Sequence, residues 1–252
     1  MVQKYAKIGF WLACAFSGAA LIATGLPAAY AQAAVGDQPT SSDSKVSEIL
    51  RENPLVPLAA QNYGLCAGAV TFNFNGITYA RCRLMHGNSL AIKHTYSGKN
   101  AQTVNQIGNA QGNGAFMVST YSPPKPSQYA LYSCPGPGSF AQCNGGICFT
   151  NTTGKAFPGL GKLSSNEIIC SCPITTTRDY HVTGPAQCPT ARSQYDAICG
   201  TFSQASGTAN GASLYIGSGG PPEVTLAMNA YYDRVFKTSS GSKTCQRPGT
   251  TR

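Results

Sequence analysis

Charged side chains are scarce in this chain of 252 residues. Asp, Glu, Lys and Arg make up 11% of it, and only nine residues are acidic. Catalysis by two carboxylates, as in glycosidases, therefore has few candidates, and no pair among them stands out. The net charge of +9 is spread along the chain, which favours solubility over a dedicated anionic partner. The acidic residues after position 60 are Glu167, Asp179, Asp196, Glu223 and Asp233.

The common sequence motifs of enzymes are also missing. There is no Gly-x-Ser-x-Gly elbow, no His-Glu-x-x-His pair and no Cys-x-x-Cys pair. Asp179 lies two residues before His181, so on a strand both side chains would share a face. With a serine they would complete a hydrolytic triad, and with His86 and His94 the imidazole would bind a metal. Structural or surface histidines are the simpler interpretation, and we expect no cofactor and no metal.

The longest apolar run lies at the N-terminus. Two lysines precede an apolar segment over residues 8–26, and Ala29-Tyr30-Ala31 has the small-x-small pattern that signal peptidase reads. We therefore predict that residues 1–31 are a cleaved signal peptide and that the protein is secreted or periplasmic. The alternative is an uncleaved membrane anchor, because the run is nearly long enough to span a bilayer.

Cysteine is abundant, with 11 residues in the whole chain. Cys14 would leave with the signal peptide, and an even number in an exported chain predicts five disulfides of undetermined connectivity. Four of these cysteines, Cys143, Cys148, Cys170 and Cys172, lie close together in the sequence, as the ligands of a zinc ion would. Structural zinc sites, however, use tighter paired spacings. The predicted disulfide cysteines are Cys66, Cys82, Cys134, Cys143, Cys148, Cys170, Cys172, Cys188, Cys199 and Cys245.

The clearest local pattern is a β-hairpin. Two runs rich in β-branched and aromatic residues, 69–74 and 77–84, flank Asn75-Gly76, the dipeptide that a type I′ turn prefers. An ideal two-residue hairpin would place Cys66 and Cys82 on opposite faces, where they could not pair with each other; the alternative is that Cys66 already lies beyond the strand. It would also give one shared core face to Val70, Phe72, Phe74, Ile77 and Tyr79.

The remaining pattern predicts a mainly β (α+β) fold. Residues 32–60 form a flexible leader with a short helix at 45–52, and 54–63 are a connector. An amphipathic helix runs from Pro221 to Lys237. We expect a disulfide-stapled antiparallel sheet or sandwich over 61–252, with a cysteine-dense subregion at 134–199. Further strands are predicted at 89–96, 115–121, 129–134, 147–150, 167–172 and 213–216.

These observations favour a noncatalytic exported module of the cell envelope or surface that binds a polymer or a protein. The expected partner is an anionic or glycan polymer or an envelope protein, and the 13 tyrosines suit such contacts. No nucleic-acid-binding motif is present, and membrane contact is expected only if the signal segment is retained. The alternative is a secreted hydrolase that uses Asp179 and His181.

Overall fold

The computed structural model describes residues 44–69, 71–92, 116–149, 154–157, 160–199 and 215–250. The predicted signal peptide and His94 lie outside these ranges. The helices are α1 (Ser44–Glu52), α2 (Arg192–Ile198) and α3 (Glu223–Phe236). The strands are β1 (Leu55–Leu65), β2 (Thr71–Phe74), β3 (Ile77–Ile92), β4 (Phe116–Val118), β5 (Tyr129–Ala141), β6 (Ile147–Phe149), β7 (Ala156–Phe157), β8 (Gly161–Lys162), β9 (Glu167–Ser171), β10 (Ile174–Pro185), β11 (Gly217–Gly219) and β12 (Thr244–Cys245).

The strands form two main sheets, which confirms the mainly β prediction. Sheet A has the order β1-β3-β9-β6-β4, with β2 also paired to β3, and sheet B has the order β11-β10-β5-β12. β7 and β8 form a separate hairpin. All of these pairs are antiparallel except that of β12 with β5. The cysteine-dense stretch 134–199 contributes strands to both sheets.

The Asn75-Gly76 hairpin forms in the predicted register. Phe72 lies opposite Tyr79, and both turn residues have the positive φ angles, 51° and 78°, that a type I′ turn requires. The expected core face is only partly buried: Phe72 is covered by Leu163 and Ile169, but Phe74 and Ile77 are exposed. Leu163 and Ile169 therefore shield the middle of the hairpin from solvent, whereas its turn end is exposed. Val70 lies outside the described residues.

Cys66 and Cys82 form a disulfide, which corrects the prediction from the ideal hairpin. The predicted connector at 54–63 is in fact part of β1, an edge strand, where Pro57 is tolerated. β1 pairs with β3 so that Leu65 lies opposite Arg83, and continuing this register places Cys66 opposite Cys82. β1 and β2 both pair with β3, but the segment between them leaves this ladder. Their registers with β3 therefore differ by an odd number of residues. Such an offset exchanges the two faces of a strand.

β5 and β10 form a long ribbon that composition did not predict, because its bend is rich in proline and glycine. The register shifts between Thr177 and Asp179, opposite the Pro135–Gly138 segment. Gly136 is required there, since a Cβ would lie 2.1 Å from the Arg178 carbonyl oxygen. The bend folds the ribbon back, so that the rings of Phe140 and Tyr180 stack with centroids 5.4 Å apart.

Five disulfides are present, as the cysteine count predicted. Three of them lie together in one buried cluster with Ala80, Ala141, Ile168 and Ile216. The other two join a second core around three buried tyrosines. The cysteines considered for zinc are thereby oxidised, in the pairs Cys143–Cys172 and Cys148–Cys170. The remaining pairs are Cys66–Cys82, Cys134–Cys199 and Cys188–Cys245.

Both predicted helices are present, and a third core packs α1 against α3. It contains Val46 and Leu50 of α1, Leu55 and Leu90 of sheet A, and the buried stripe of α3, which consists of Val224, Met228 and Tyr231. The helix α2 is an addition to the prediction. Of the strand predicted at 213–216, residues 213 and 214 lie outside the described residues, and Ile216 forms an isolated bridge with Ala141 just before β11. Within the described ranges, no helix has both the length and the apolar character needed to cross a membrane.

Candidate functional site

Asp179 and His181 both lie on β10, but each has its own partner. The Asp179 carboxylate is exposed and forms an ion pair with Lys45 of α1. His181 is 2% exposed, with Nδ1 3.0 Å from the Gly220 carbonyl oxygen and Nε2 2.5 Å from the Thr225 hydroxyl. The carboxylate is therefore turned towards Lys45 and does not orient the imidazole, as it would in a hydrolytic triad.

The hydrogen-bond partners of His181 determine which of its ring nitrogens carries the proton. The Gly220 carbonyl can only accept a hydrogen bond, so Nδ1 carries the proton and Nε2 accepts one from Thr225. Burial lowers the pKa of His181, and the neutral ring joins β10 to the first turn of α3. His86 is exposed at the surface, where Nδ1 lies 2.6 Å from Oδ1 of Asn62.

We expect His181 to make the fold sensitive to acid. Because its folded-state pKa lies below its unfolded value, the neutral ring contributes stability that is complete above pH ~6.5 and is lost as the pH falls through the folded-state pKa. In His181→Asn, the free energy of unfolding from urea titrations should depend less on pH, by at most about 1.4 kcal/mol per pH unit. Equal pH slopes for both proteins between pH 7.5 and 4.5 would contradict this role.

Three of the acidic residues considered for catalysis have partners within the fold. Glu167 binds Arg81 through both carboxylate oxygens, and Asp196 binds Arg247 in the same way. Asp233 accepts hydrogen bonds from Thr238 and Ser240 in the turn after α3. These carboxylates are therefore already engaged by basic or polar partners.

The described residues form a cleft of about 600 Å³. Its volume falls in the range of ligand sites, and both sheets, α1 and α3 contribute to its walls. It is called the uncharged cleft because none of the described residues that line it is Asp, Glu, Lys, Arg or His. The lining residues are Ile49, Leu50, Asn53, Leu55, Ile92, Phe140, Gln142, Asn144, Gly145, Gly146, Ile147, Ser171, Pro173, Thr175, Ser218, Gly219, Gly220, Val224 and Met228.

The cleft lies where β5 and β11 separate. Ala141 and Ile216 form an isolated parallel bridge, in which the Ala141 N–H donates to the Tyr215 carbonyl at 3.1 Å. One residue further, the Gln142 N–H donates instead to the Pro173 carbonyl at 3.0 Å, while β11 continues along β10. The bend in the β5–β10 ribbon thus brings the end of β5 next to the start of β11, and beyond this point the two strands diverge.

Three buried oxygens beside the cleft have no hydrogen-bond partner among the described residues. They are Oγ1 of Thr120, Oε1 of Gln142 and Oδ1 of Asn144. All three residues line a smaller pocket of about 70 Å³, and this pocket shares Ile92, Gln142, Asn144, Ser218 and Met228 with the cleft. Leaving such a group unsatisfied costs about 1–3 kcal/mol. These acceptors therefore mark a place where donor groups of a ligand or of bound water would be stabilised.

Four exposed apolar residues lie on neighbouring strands, and one of them, Ile147, also lines the cleft. Within the described ranges, the exposed large apolar residues are Phe74, Ile77, Ile147 and Ile174, which are 36–50% exposed. Their strands are neighbours, because the Cys172 N–H donates to the Thr78 carbonyl and the Ile147 N–H donates to the Ser171 hydroxyl. We call these four residues the apolar rim. Clustered exposed apolar side chains are typical of interaction surfaces.

Sequence reasoning did not find this site. From the sequence, the segment Cys143-Asn144-Gly145-Gly146-Ile147 was considered only for its cysteine. In the structure its other residues line the cleft. Thr120 and Gln142 belong to no motif, and their role follows from burial without a partner. The chain matches no protein-family model, no curated protein and no solved structure.

Proposed function

We propose that this protein is an exported binding module without catalytic activity, and that the cleft and the apolar rim bind its partner. In this proposal the mature chain begins at Gln32 in the periplasm or outside the cell. Five disulfides are typical of an oxidising, extracytoplasmic environment and support this location. The observation that carries the binding role is the uncharged cleft, two of whose lining residues, Gln142 and Asn144, have buried side-chain oxygens without a partner.

The chemistry of the cleft narrows the choice of partner. An anionic polymer would need free basic side chains at the site, but the described part of the lining has none, and Arg81 and Arg247 are engaged by Glu167 and Asp196. The apolar rim and the unpartnered acceptors instead suit an uncharged partner that offers N–H or O–H groups together with apolar surface. A protein segment and a neutral glycan both meet this description.

The test uses a substitution at the rim. Wild-type protein, verified by intact mass to begin at Gln32, is screened against displayed random peptides of about twelve residues and an array of neutral and acidic glycans. We expect Ile147→Asp to weaken every specific ligand by at least about tenfold, because it places a charge beside an uncharged cleft. The control is Thr190→Asp, an exposed site just before α2 and outside the cleft lining. Failure to find any ligand sensitive to Ile147→Asp would overturn the proposal.

A further inference from the structure

We infer that the partner is an extended, uncharged polypeptide segment that adds as a strand to the free edge of β11. This inference rests on the proposed function and names the ligand class for the same cleft. Among the described residues β11 is the last strand of sheet B, and past the Ala141–Ile216 bridge at its start the ladder continues only on the β10 side, so the free part of the edge is at Gly219. A strand with a free edge offers main-chain donors and acceptors to a further strand.

The hydrogen bonds of β10 with β11 show which peptide groups face the cleft. The Gly220 N–H donates to the Asp179 carbonyl at 2.8 Å, and the Thr183 N–H donates to the Ile216 carbonyl at 2.9 Å. In an antiparallel ladder, alternate residues bond to the same neighbour. Gly219 belongs to the other set, so its N–H and C=O are directed away from β10. Since Gly219 also lines the cleft, these groups are available to a ligand there.

Glycine leaves this edge accessible. A Cβ built on Gly219 would meet no atom within 4 Å, so the face of the strand is open at this residue. The neighbouring Gly217 and Ser218 are half-buried, and β11 carries no large side chain that would shield its peptide groups. No large side chain of β11 therefore hinders a strand at the usual spacing of about 4.8 Å.

The cleft lining also contains acceptors of the kind that a peptide needs. Gln142 and Asn144 follow the point at which β5 leaves β11, and each has a buried side-chain oxygen without a partner. A peptide strand beside β11 can donate N–H groups to these oxygens when the two amide side chains rotate towards the cleft. Phe140, the aromatic residue of the cleft, is 1% exposed, so the cleft lacks the open aromatic platform on which a sugar ring would stack. A peptide fits this arrangement better than a glycan.

The test uses a peptide selected on the wild-type protein, with the peptide bonds N-methylated one at a time. We expect a period of two: methylation at alternate positions weakens binding by up to about tenfold for each hydrogen bond lost, and methylation at the intervening positions has a smaller effect. In the complex, the Gly219 amide should exchange with solvent more slowly.

The outcomes separate this inference from the proposed function. Ligands that Ile147→Asp weakens but that show no period of two, or that prove to be neutral glycans alone, would overturn strand addition and leave the binding role standing. If no ligand depends on Ile147, both proposals fail. A period of two in a peptide that Ile147→Asp weakens, while Thr190→Asp does not, supports both.

Discussion

Replacing Cys148 and Cys170 by alanine should lower the free energy of unfolding by about 3–5 kcal/mol, although the Cys143–Cys172 disulfide remains closed around them. Six of the ten members of their core cluster are cysteines, and Ile168 and Ile216 are its only large aliphatic members among the described residues. Both sulfurs are fully buried. Gly64 passes so close that a Cβ there would lie 2.6 Å from Sγ of Cys148. The disulfides therefore fill the space that apolar side chains fill in other cores.

The nesting of the two disulfides indicates that packing dominates this cost. Cys148–Cys170 spans 22 residues and lies inside Cys143–Cys172, which spans 29, so the inner bond adds little further constraint to the unfolded chain. Cys148→Val with Cys170→Ala restores much of the lost volume and should recover a good part of the stability in urea titrations. If it is as destabilising as the double alanine variant, the covalent constraint and not the packing is responsible.

A comparison with Cys188→Ala and Cys245→Ala distinguishes the two effects further. This pair spans 57 residues, but Cys188 is only half-buried. A purely entropic account predicts that its removal costs more than removal of Cys148–Cys170, because the loop is longer. We expect instead that removal of Cys148–Cys170 costs more, because this disulfide, although its loop is shorter, is packed within the cysteine-rich core.

Local features of the fold were predictable from sequence, because their determinants lie within a few residues. Asn75-Gly76 determines a turn and its register, and the apolar spacing of α3 determines its buried stripe. β1 was missed because Pro57 argues against a strand, and only the edge position that it occupies removes the conflict. The Cys66–Cys82 pairing was likewise inaccessible. It depends on an irregular segment that shifts the register between two strands.

The cleft required long-range information. Its walls come from residues as far apart as Ile49 and Met228, and it exists because the β5–β10 ribbon bends at Gly136 and brings Ala141 to Ile216. A Pro-Gly-Pro-Gly sequence is typical of a loop, whereas here it is the bend within a paired ribbon. Asp179 and His181 were grouped by spacing alone. The structure gives them separate partners, because Lys45 of α1 forms an ion pair with the Asp179 carboxylate.

Glu167→Gln should destabilise the protein at neutral pH by about 2 kcal/mol and reduce its sensitivity to acid. The Arg81 guanidinium holds both oxygens of Glu167 at 2.6 and 2.7 Å and also donates to the carbonyls of Leu160 and Lys162. It thus links β3 to β9 and to the β7–β8 hairpin that covers Phe72. The hydrogen bonds from Arg81, with those from Ser164, lower the pKa of Glu167 to about 2.

The sign of the effect follows from the direction of this shift. A carboxylate whose folded-state pKa lies below its unfolded value of 4.5 contributes stability that is complete above about pH 4.5 and is lost as the pH falls towards 2. Urea titrations at pH 7, 4.5, 3 and 2 should therefore show a steeper loss for the wild type than for Glu167→Gln. Arg81→Lys tests the geometry, because lysine keeps the charge but cannot hold two oxygens and two carbonyls at once. If Arg81→Lys retains wild-type stability at pH 7, charge alone accounts for the contact and the forked arrangement of Arg81 is dispensable.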